Sequence, residues 1–255
     1  IKCGGNIKLL YDYGSNYNFE DVNFDCTTTS YSKPKIYKCN KCELKFSELA
    51  AALPNKKIED KYNNVVDNIY IDEITQREKY FSSLYKKISY NFSKNQSVLE
   101  VGSYYGVFGN IIKPNVKNYS GLELSKHGSD YSKKNYNLEI FNETIQEHSE
   151  RQIKYDIIIM ADVIEHFSNP FKMLETIEKI LKPNGLLIFT TYNMDSFYAK
   201  ITGKNYHWIL PMHLFYFSNK TLKNICLENN LKIIKIKNDS RVVSFYYLLN
   251  KLELI

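Results

Sequence analysis

The sequence predicts an α/β fold in which a doubly wound, mostly parallel sheet follows a small cysteine-rich module. Between residues 96 and 240, short apolar runs alternate with stretches of helical periodicity. Such alternation is typical of parallel strands with helices on both faces of the sheet. The first apolar run is followed by two glycines four residues apart, Gly102 and Gly106, and four of the five cysteines lie within residues 1–55. These observations give the chain two parts of different character.

The predicted elements follow in chain order. Apolar residues at helical spacing predict a helix over 74–88 that leads into the sheet. Strands are expected at 97–101, 118–123, 138–141, 155–160, 186–191 and 231–237. Helices are expected at 106–112, 126–135, 170–181 and 219–229. We therefore divide the chain into a cysteine-rich module (1–55), a helical linker or lid (56–95) and the sheet domain (96–255).

Composition restricts the classes of function. A net charge of +6 allows a nucleic-acid partner, but the lysines are scattered and no basic run of five occurs, so none is expected. The sequence has no apolar run of eighteen residues, which a membrane span would need, and its start lacks a secretory signal. Both observations favour a cytoplasmic protein. Because the first residue is Ile1 and the last residues stop within an apolar pattern, we expect truncation at both ends.

Residues 96–112 read QSVLEVGSYYGVFGNII, a strand, a tight turn and a helix. This is the local plan of a nucleotide-binding βα unit, in which glycine lets a ligand approach the backbone. Tyr104 stands where a dinucleotide fingerprint has its middle glycine, which disfavours an NAD-dependent oxidoreductase. The next predicted strand ends at Glu123, about 20 residues on, where an acidic residue takes ribose hydroxyls.

Three further stretches add to this unit: YSGLE, DIIIMADVIEHFSNP and LKPNGLLIF. In this order and spacing, residues 96–240 resemble class I S-adenosylmethionine-dependent methyltransferases. The resemblance implies a Rossmann-like fold with S-adenosylmethionine as the cofactor, although Tyr104 replaces a glycine that is usual in the family. It carries the following cofactor-binding residues onto this chain: Glu100, Gly102, Ser103, Tyr104, Tyr105, Gly106, Glu123, Leu124, Glu143, Thr144, Ala161, Asp162 and Val163.

Two histidines are candidate catalytic residues. His166 ends the DVIEH stretch, and His213 lies in the aromatic stretch WILPMHLFYF, where this family places its acceptor pocket. An imidazole titrates near neutrality and can take a proton from an acceptor hydroxyl. The alternatives are a structural hydrogen bond for His166 and packing for His213.

The cysteines predict a structural zinc site. Cys39 and Cys42 form a C-x-x-C knuckle, and Cys3-Gly4 looks like half of another. Cys26 is the fourth ligand unless a cysteine precedes Ile1, and a disulfide is the alternative to Zn²⁺. The spacing resembles the zinc-ribbon module found before some sugar and small-molecule methyltransferases, where the metal is structural.

The predicted function is methyl transfer from S-adenosylmethionine to a small polar acceptor. We expect O-methylation of a sugar or another nucleotide-linked or phosphorylated precursor of a bacterial capsule or surface polysaccharide. The alternatives are C-methylation of a nucleotide-linked keto sugar or natural product, and a non-catalytic zinc-bearing interaction protein. RNA or protein methylation is disfavoured because Asp162-Val163-Ile164-Glu165 replaces the Asn/Asp-Pro-Pro-aromatic loop of such enzymes. The sequence leaves the oligomeric state open.

Overall fold

The computed structural model describes residues 3–14, 18–22, 24–27, 32–52 and 54–238. The strands are β1 (Ile7–Tyr11), β2 (Ile36–Cys39), β3 (Lys45–Ser47), β4 (Ser97–Val101), β5 (Asn118–Leu122), β6 (Ile140–Phe141), β7 (Tyr155–Ala161), β8 (Leu181–Thr190) and β9 (Phe215–Tyr216). The α-helices are α1 (Leu49–Ala52), α2 (Asn55–Asn63), α3 (Asn68–Asp72), α4 (Ile74–Ile88), α5 (Val107–Ile112), α6 (Lys126–Tyr136), α7 (Ile145–Ser149), α8 (Pro170–Ile180), α9 (Phe197–Thr202) and α10 (Asn219–Glu228). None of these helices combines the length and the apolar character that a membrane span requires.

Five strands of the described chain form one parallel sheet in the order β6-β5-β4-β7-β8. The central strand β4 is buried beyond Ser97 and pairs in register with β5, from Ser97 opposite Asn118 to Val101 opposite Leu122. Nearly continuous apolar runs of this kind are typical of strands covered on both faces. Because parallel strands end at the same edge, the segments after β4, β5 and β7 meet there. The predicted doubly wound α/β fold is confirmed.

Helices cover both faces of this sheet. Successive residues of a strand point to opposite faces, so Val98 and Leu99 enter different cores. On one face the sheet packs against α4 and α5, through Tyr80, Leu84, Phe108 and Ile112. On the other face it packs against α8, through Met173, Leu174, Ile177 and Ile180. Helix α8 begins where Asn169 accepts the Lys172 N–H at 3.0 Å, as expected for an N-cap residue.

A second, antiparallel sheet has the order β1-β2-β3-β9. Its first three strands come from the cysteine-rich module, whereas β9 lies late in the chain, and Phe46 of β3 pairs with Phe215 of β9. Both phenylalanines belong to the core that also covers one face of the parallel sheet. The module therefore packs directly on the rest of the molecule. The division of the chain into three parts stays a prediction.

The predicted strand over 231–237 is wrong, since residues 231–238 adopt neither helix nor strand. The apolar side chains of this segment still lie in two environments. Leu231 and Ile233 pack against the core, whereas Ile234 is 79% exposed. A strand also needs a neighbour for its backbone hydrogen bonds, and alternation alone does not supply one. The other predicted strands and helices are present, although β6 is only two residues long and β8 begins earlier than expected. Most of the segment after Lys237 lies outside the described residues.

Candidate functional site

A cavity of about 400 Å³ lies at the carboxyl edge of the parallel sheet. The segments that follow β4, β5 and β7 form its floor, and residues of α2, α3 and α4 form a further wall. Ligands of open α/β sheets bind at this edge, because the loops that connect strands to helices converge there.

The loop after β4 adopts the tight conformation that its glycines predict. Gly102 has φ +73°, and a Cβ atom there would lie 2.7 Å from Cγ2 of Val163. Tyr104 has φ +47°, a left-handed conformation that glycine adopts without strain. The Tyr104 side chain is fixed by a 3.0 Å hydrogen bond from its hydroxyl to Asp67 and by edge-to-face packing on Tyr70. The missing glycine is therefore compensated by contacts with the segment before the sheet.

Two buried carboxyl groups line the cavity where β4 and β5 end. Glu123 is 7% exposed and accepts the N–H groups of Tyr104 at 2.6 Å and Ser125 at 2.7 Å. Glu100 is 2% exposed and accepts a hydrogen bond from the Tyr119 hydroxyl. Burial raises the pKa of Glu100 to about 8 and that of Glu123 to about 7, because desolvation disfavours the ionised form. Each carboxylate oxygen has a second lone pair, so both groups can accept further hydrogen bonds from a ligand.

Tyr105 and Gly106, which the resemblance nominates as cofactor ligands, are not among the residues that line the cavity. Tyr105 is fully buried, and its hydroxyl accepts the Asp67 N–H at 2.8 Å while its ring stacks on Tyr70. Gly106 is the N-cap of α5, and a Cβ there would lie 2.7 Å from Ser132 Oγ. Both residues support the loop from behind, and their role as cofactor ligands stays a prediction.

The other residues nominated for the cofactor border the cavity; they are Glu100, Gly102, Ser103, Tyr104, Glu123, Leu124, Glu143, Thr144, Ala161, Asp162 and Val163. Glu143 is held by Arg151 at 2.8 Å, and hydrogen bonding to Arg151 lowers its pKa. Asp162 has φ +59° and accepts the Thr190 hydroxyl at 2.9 Å, which fixes the turn after β7. Their places fit the prediction, and direct contact with a cofactor stays a prediction.

The two nominated histidines meet at another part of the cavity wall, with ring centroids 4.8 Å apart. Nδ1 of His213 lies 2.9 Å from the Trp208 carbonyl oxygen, and Nδ1 of His166 lies 3.1 Å from that of Met212. A carbonyl oxygen only accepts, so the His213 bond places the proton on Nδ1 and the lone pair of the neutral ring on Nε2. Nδ1 of His166 also lies 2.7 Å from the Tyr62 hydroxyl, which can donate to it or accept from it. Burial lowers the pKa of His166 to about 4, so its neutral form dominates at pH 7.

Sequence reasoning missed the side chains that the segment before the sheet contributes to the cavity. Arg77 of α4 lines it, donates to Glu73 Oε2 at 2.9 Å and lies 4.9 Å from the ring centroid of Tyr70. Among the described residues, the buried Nε of Arg77 has no hydrogen-bond partner. Tyr62 of α2 also lines the cavity. The only available signal was the predicted helix over 74–88, which gave no reason to single out Arg77.

Three of the four nominated zinc ligands come together. The thiols of Cys3, Cys39 and Cys42 lie within 4.8 Å of one another, with Cys3 and Cys39 sulfurs 3.4 Å apart. Gly5 is required beside them, because a Cβ there would lie 2.6 Å from Cys39 Sγ. Cys26 is not in this group and lines the large cavity instead. The cluster of three thiols is compatible with a small zinc site, and Cys26 as its fourth ligand stays a prediction.

Comparisons with known proteins agree with this architecture. The family model described as "Methyltransferase domain" matches residues 74–236, more than half of the chain. The ubiquinone biosynthesis O-methyltransferase of Erwinia tasmaniensis is 24% identical over 40% of this chain and 44% of that protein. The enzyme of the same name from Actinobacillus pleuropneumoniae is 24% identical over 56% of this chain and 68% of that protein. The chain thus spans less than half of the first relative.

A crystal structure described as a SAM-dependent methyltransferase from Archaeoglobus fulgidus superposes with a TM-score of 0.55. It is 17% identical, and the superposition covers 74% of this chain and 91% of that chain. A likeness at this identity concerns the fold. Taken with the family match, it shows that the chain belongs to the methyltransferase domain family and has the Rossmann-like fold of class I S-adenosylmethionine-dependent methyltransferases.

Proposed function

We propose that the chain transfers a methyl group from S-adenosylmethionine to a hydroxyl oxygen of a small polar acceptor. The observation that carries the proposal is the arrangement of one cavity. Two buried carboxyl groups, Glu100 and Glu123, lie where neighbouring parallel strands end, and two histidines lie together at another part of the wall of the same cavity. The first pair suits a nucleoside with an amino-acid tail, and the second suits activation of a hydroxyl.

The cofactor half of the cavity is assigned by charge and hydrogen-bonding capacity. Glu123 is proposed to accept the ribose hydroxyls, since its oxygens are already oriented by two backbone N–H groups. Glu100 is proposed to accept from the ammonium of the methionyl tail, and Arg77 to bind the carboxylate of that tail with its buried Nε. Bound S-adenosylmethionine supplies an electrophilic methyl group on a sulfonium centre and leaves as S-adenosylhomocysteine.

The acceptor half is assigned to His166 and His213. In its neutral state the His213 ring carries the lone pair on Nε2, the form that takes a proton from a hydroxyl. The adjoining wall is aromatic: Trp208 stacks on Tyr192 with centroids 4.4 Å apart, and both rings line the cavity. A flat apolar wall beside polar groups suits a planar ring or the apolar face of a sugar.

The acceptor's identity is a further part of the proposal. The curated relatives are named for ubiquinone biosynthesis and for O-methylation, which supports an oxygen acceptor on a small molecule. A sugar or another precursor of a surface polysaccharide rests on the sequence resemblance alone. We also propose that Cys3, Cys39 and Cys42 hold a structural zinc ion, which their clustered thiols support. The cytoplasmic location is a proposal that rests on the sequence alone.

The test is isothermal titration of the purified, zinc-analysed protein with S-adenosylhomocysteine. Micromolar binding is expected for the wild type. Glu123→Gln should weaken it about 10- to 100-fold, because hydrogen bonds to a charged group contribute about 1.5–3 kcal/mol. Glu150→Gln, which changes an exposed carboxylate outside the cavity, should bind like the wild type.

Methyl transfer is then measured with S-adenosylmethionine carrying a labelled methyl group and a panel of hydroxylated acceptors, followed by mapping of the methylated atom. A methyl ether product supports the proposal, and a new carbon–methyl bond would establish the C-methylation alternative. A folded, zinc-loaded protein that binds no S-adenosylhomocysteine would refute cofactor binding and favour a non-catalytic role.

A further inference from the structure

Tyr62 of α2 lies at the cavity wall beside the candidate catalytic histidines. Its ring packs edge to face on the ring of His166, with centroids 5.9 Å apart, and both side chains line the cavity. The two residues are distant in the sequence and meet because α2 folds across the carboxyl edge of the parallel sheet. The Tyr62 hydroxyl is therefore a polar group of the acceptor half to which the proposed function gives no role.

The cysteine-rich module holds α2 and Tyr62 in place. The buried ring of Phe24 packs edge to face on the Tyr62 ring, with centroids 4.9 Å apart. Lys61, the neighbour of Tyr62, donates to the carbonyl oxygen of Glu20 at 2.7 Å. The Lys61 ammonium also lies 5.3 Å from the ring centroid of Phe19. These contacts set the position of the Tyr62 hydroxyl before a ligand enters the cavity.

The contacts of His166 decide where the hydrogens around its Nδ1 lie. Nδ1 is 2.7 Å from the Tyr62 oxygen and 3.1 Å from the carbonyl oxygen of Met212. A hydrogen on Nδ1 can be shared by these two oxygens, so both contacts are then favourable. A lone pair on Nδ1 would accept from Tyr62 but would face the Met212 oxygen, which also only accepts. The arrangement with the hydrogen on Nδ1 is therefore favoured.

In this arrangement Tyr62 accepts from His166 and keeps its own phenolic hydrogen. Within the part of the chain that the structure describes, the Tyr62 hydroxyl has no hydrogen-bond partner besides Nδ1 of His166. Burial raises the pKa of Tyr62 well above its ordinary value of 10, so the phenol is protonated at pH 7. A buried donor needs an acceptor, and the cavity is where a ligand can supply one.

We propose that Tyr62 binds and orients the methyl acceptor by donating its phenolic hydrogen to an oxygen of that molecule, while His166 holds the phenol in place. The inference rests on the proposed function and deepens it with a residue that determines acceptor specificity. A site built to hydrogen-bond an oxygen rejects the analogue that lacks it, because the buried donor is then left unpaired. Trp208 and Tyr192 supply a flat wall. The ligand class is therefore an oxygen compound with a flat apolar face.

The first test observes the ring nitrogens of the free protein by nuclear magnetic resonance after isotope labelling of histidine. The signals of His166 are identified by their loss in His166→Gln. Nδ1 of His166 should show the one-bond coupling of a nitrogen that carries a hydrogen. Tyr62→Phe should keep this coupling, because the Met212 oxygen still accepts from Nδ1. A bare Nδ1 in the wild type would mean that Tyr62 donates its hydrogen to the ring, which overturns the proposal.

The second test compares para-nitrophenol with nitrobenzene, which lacks the phenolic oxygen. Both are titrated into protein saturated with S-adenosylhomocysteine, and quenching of Trp208 fluorescence reports binding. Tyr62→Phe keeps the ring and should weaken para-nitrophenol binding about 3- to 10-fold, the effect of one neutral hydrogen bond. Its affinities for nitrobenzene and S-adenosylhomocysteine should stay those of the wild type. Tyr90→Phe, which changes an exposed tyrosine outside the cavity, should bind all three compounds like the wild type.

The outcomes separate this proposal from the proposed function. Unchanged para-nitrophenol binding in Tyr62→Phe, or an equal loss for both nitro compounds, overturns the role of the hydroxyl. A wild type that binds S-adenosylhomocysteine but not para-nitrophenol also overturns it and leaves cofactor binding intact. A wild type that binds no S-adenosylhomocysteine refutes the proposed function instead. If Tyr62→Phe fails to fold, the nitrogen signals of the wild type decide where the Tyr62 hydrogen lies.

Discussion

Replacing Glu100 by Gln is expected to flatten the pH dependence of the free energy of unfolding. Burial raises the pKa of this carboxyl from 4.5 to about 8 in the folded protein. The stabilising contribution of Glu100 to the free energy of unfolding is therefore fully present below pH 4.5 and is lost as the pH rises through about 8. Since one pKa unit corresponds to about 1.4 kcal/mol, the loss across this window is a few kcal/mol. Gln is neutral throughout and can still accept from the Tyr119 hydroxyl.

The assay is urea unfolding at pH values from 5 to 8.5, followed by the fluorescence of Trp208, the only tryptophan of the chain. The wild type should lose stability steadily over this range, and Glu100→Gln should lose distinctly less. Some slope should remain in the variant, because burial also raises the pKa of Glu123, to about 7. Glu150→Gln serves as the exposed control.

The same argument predicts proton release when the cofactor binds. A cationic ammonium beside Glu100 favours the ionised carboxylate, so binding of S-adenosylhomocysteine near pH 7 should release protons. Titrations in phosphate and in Tris, which differ in ionisation enthalpy, measure the number of protons. Parallel stability curves for the wild type and Glu100→Gln, together with no proton release, would refute the reasoning.

Three further predictions concern the loop after β4, the cofactor tail and the thiols. Gly102→Ala should destabilise the protein by about 1–3 kcal/mol, because it adds a Cβ 2.7 Å from Val163 at φ +73°. Thermal unfolding should show a smaller effect for Gly14→Ala, where φ is +64° but no atom lies within 4 Å, and equal effects would contradict the steric argument. Arg77→Gln should weaken S-adenosylhomocysteine binding about 10-fold and leave adenosine binding unchanged, since adenosine lacks the tail; an equal loss for both ligands would assign Arg77 a structural role. Cys39→Ser should abolish the bound zinc measured by elemental analysis, whereas Cys26→Ser should retain it, and loss of zinc in Cys26→Ser would identify Cys26 as a ligand.

Local sequence signals were sufficient for the parallel sheet and for one side of the cavity. The apolar run before Gly102 predicts β4, and the short strand that ends just before Glu123 predicts the place of that carboxylate. Each of these signals is contained within a few neighbouring residues. The parallel order then places these loops together at one edge of the sheet, as the family resemblance implies.

The parts that sequence reasoning missed depend on contacts between distant segments. Arg77 and Cys26 reach the cavity because the segment before the sheet folds across its edge, and no periodicity encodes that path. The DVIEH stretch predicts a role for His166. Only the structure shows that the ligand atoms of its neighbour Glu165 and of the distant His213 lie within 4.8 Å of it and of each other. The strand β9 is two residues long, too short to leave an alternating pattern.

The pairing of β3 with β9 has a consequence for synthesis of the chain. Phe46 and Phe215 are separated by about 170 positions, so at about 5–20 residues per second the edge of β3 waits some ten seconds or more for its partner. During that interval an unpaired strand edge is open to other chains, which is a recognised route to aggregation. Early capture of a metal ion by the three thiols would hold β2 in place beside it. Zinc limitation during expression should therefore lower the yield of folded protein more than its removal from finished protein lowers stability.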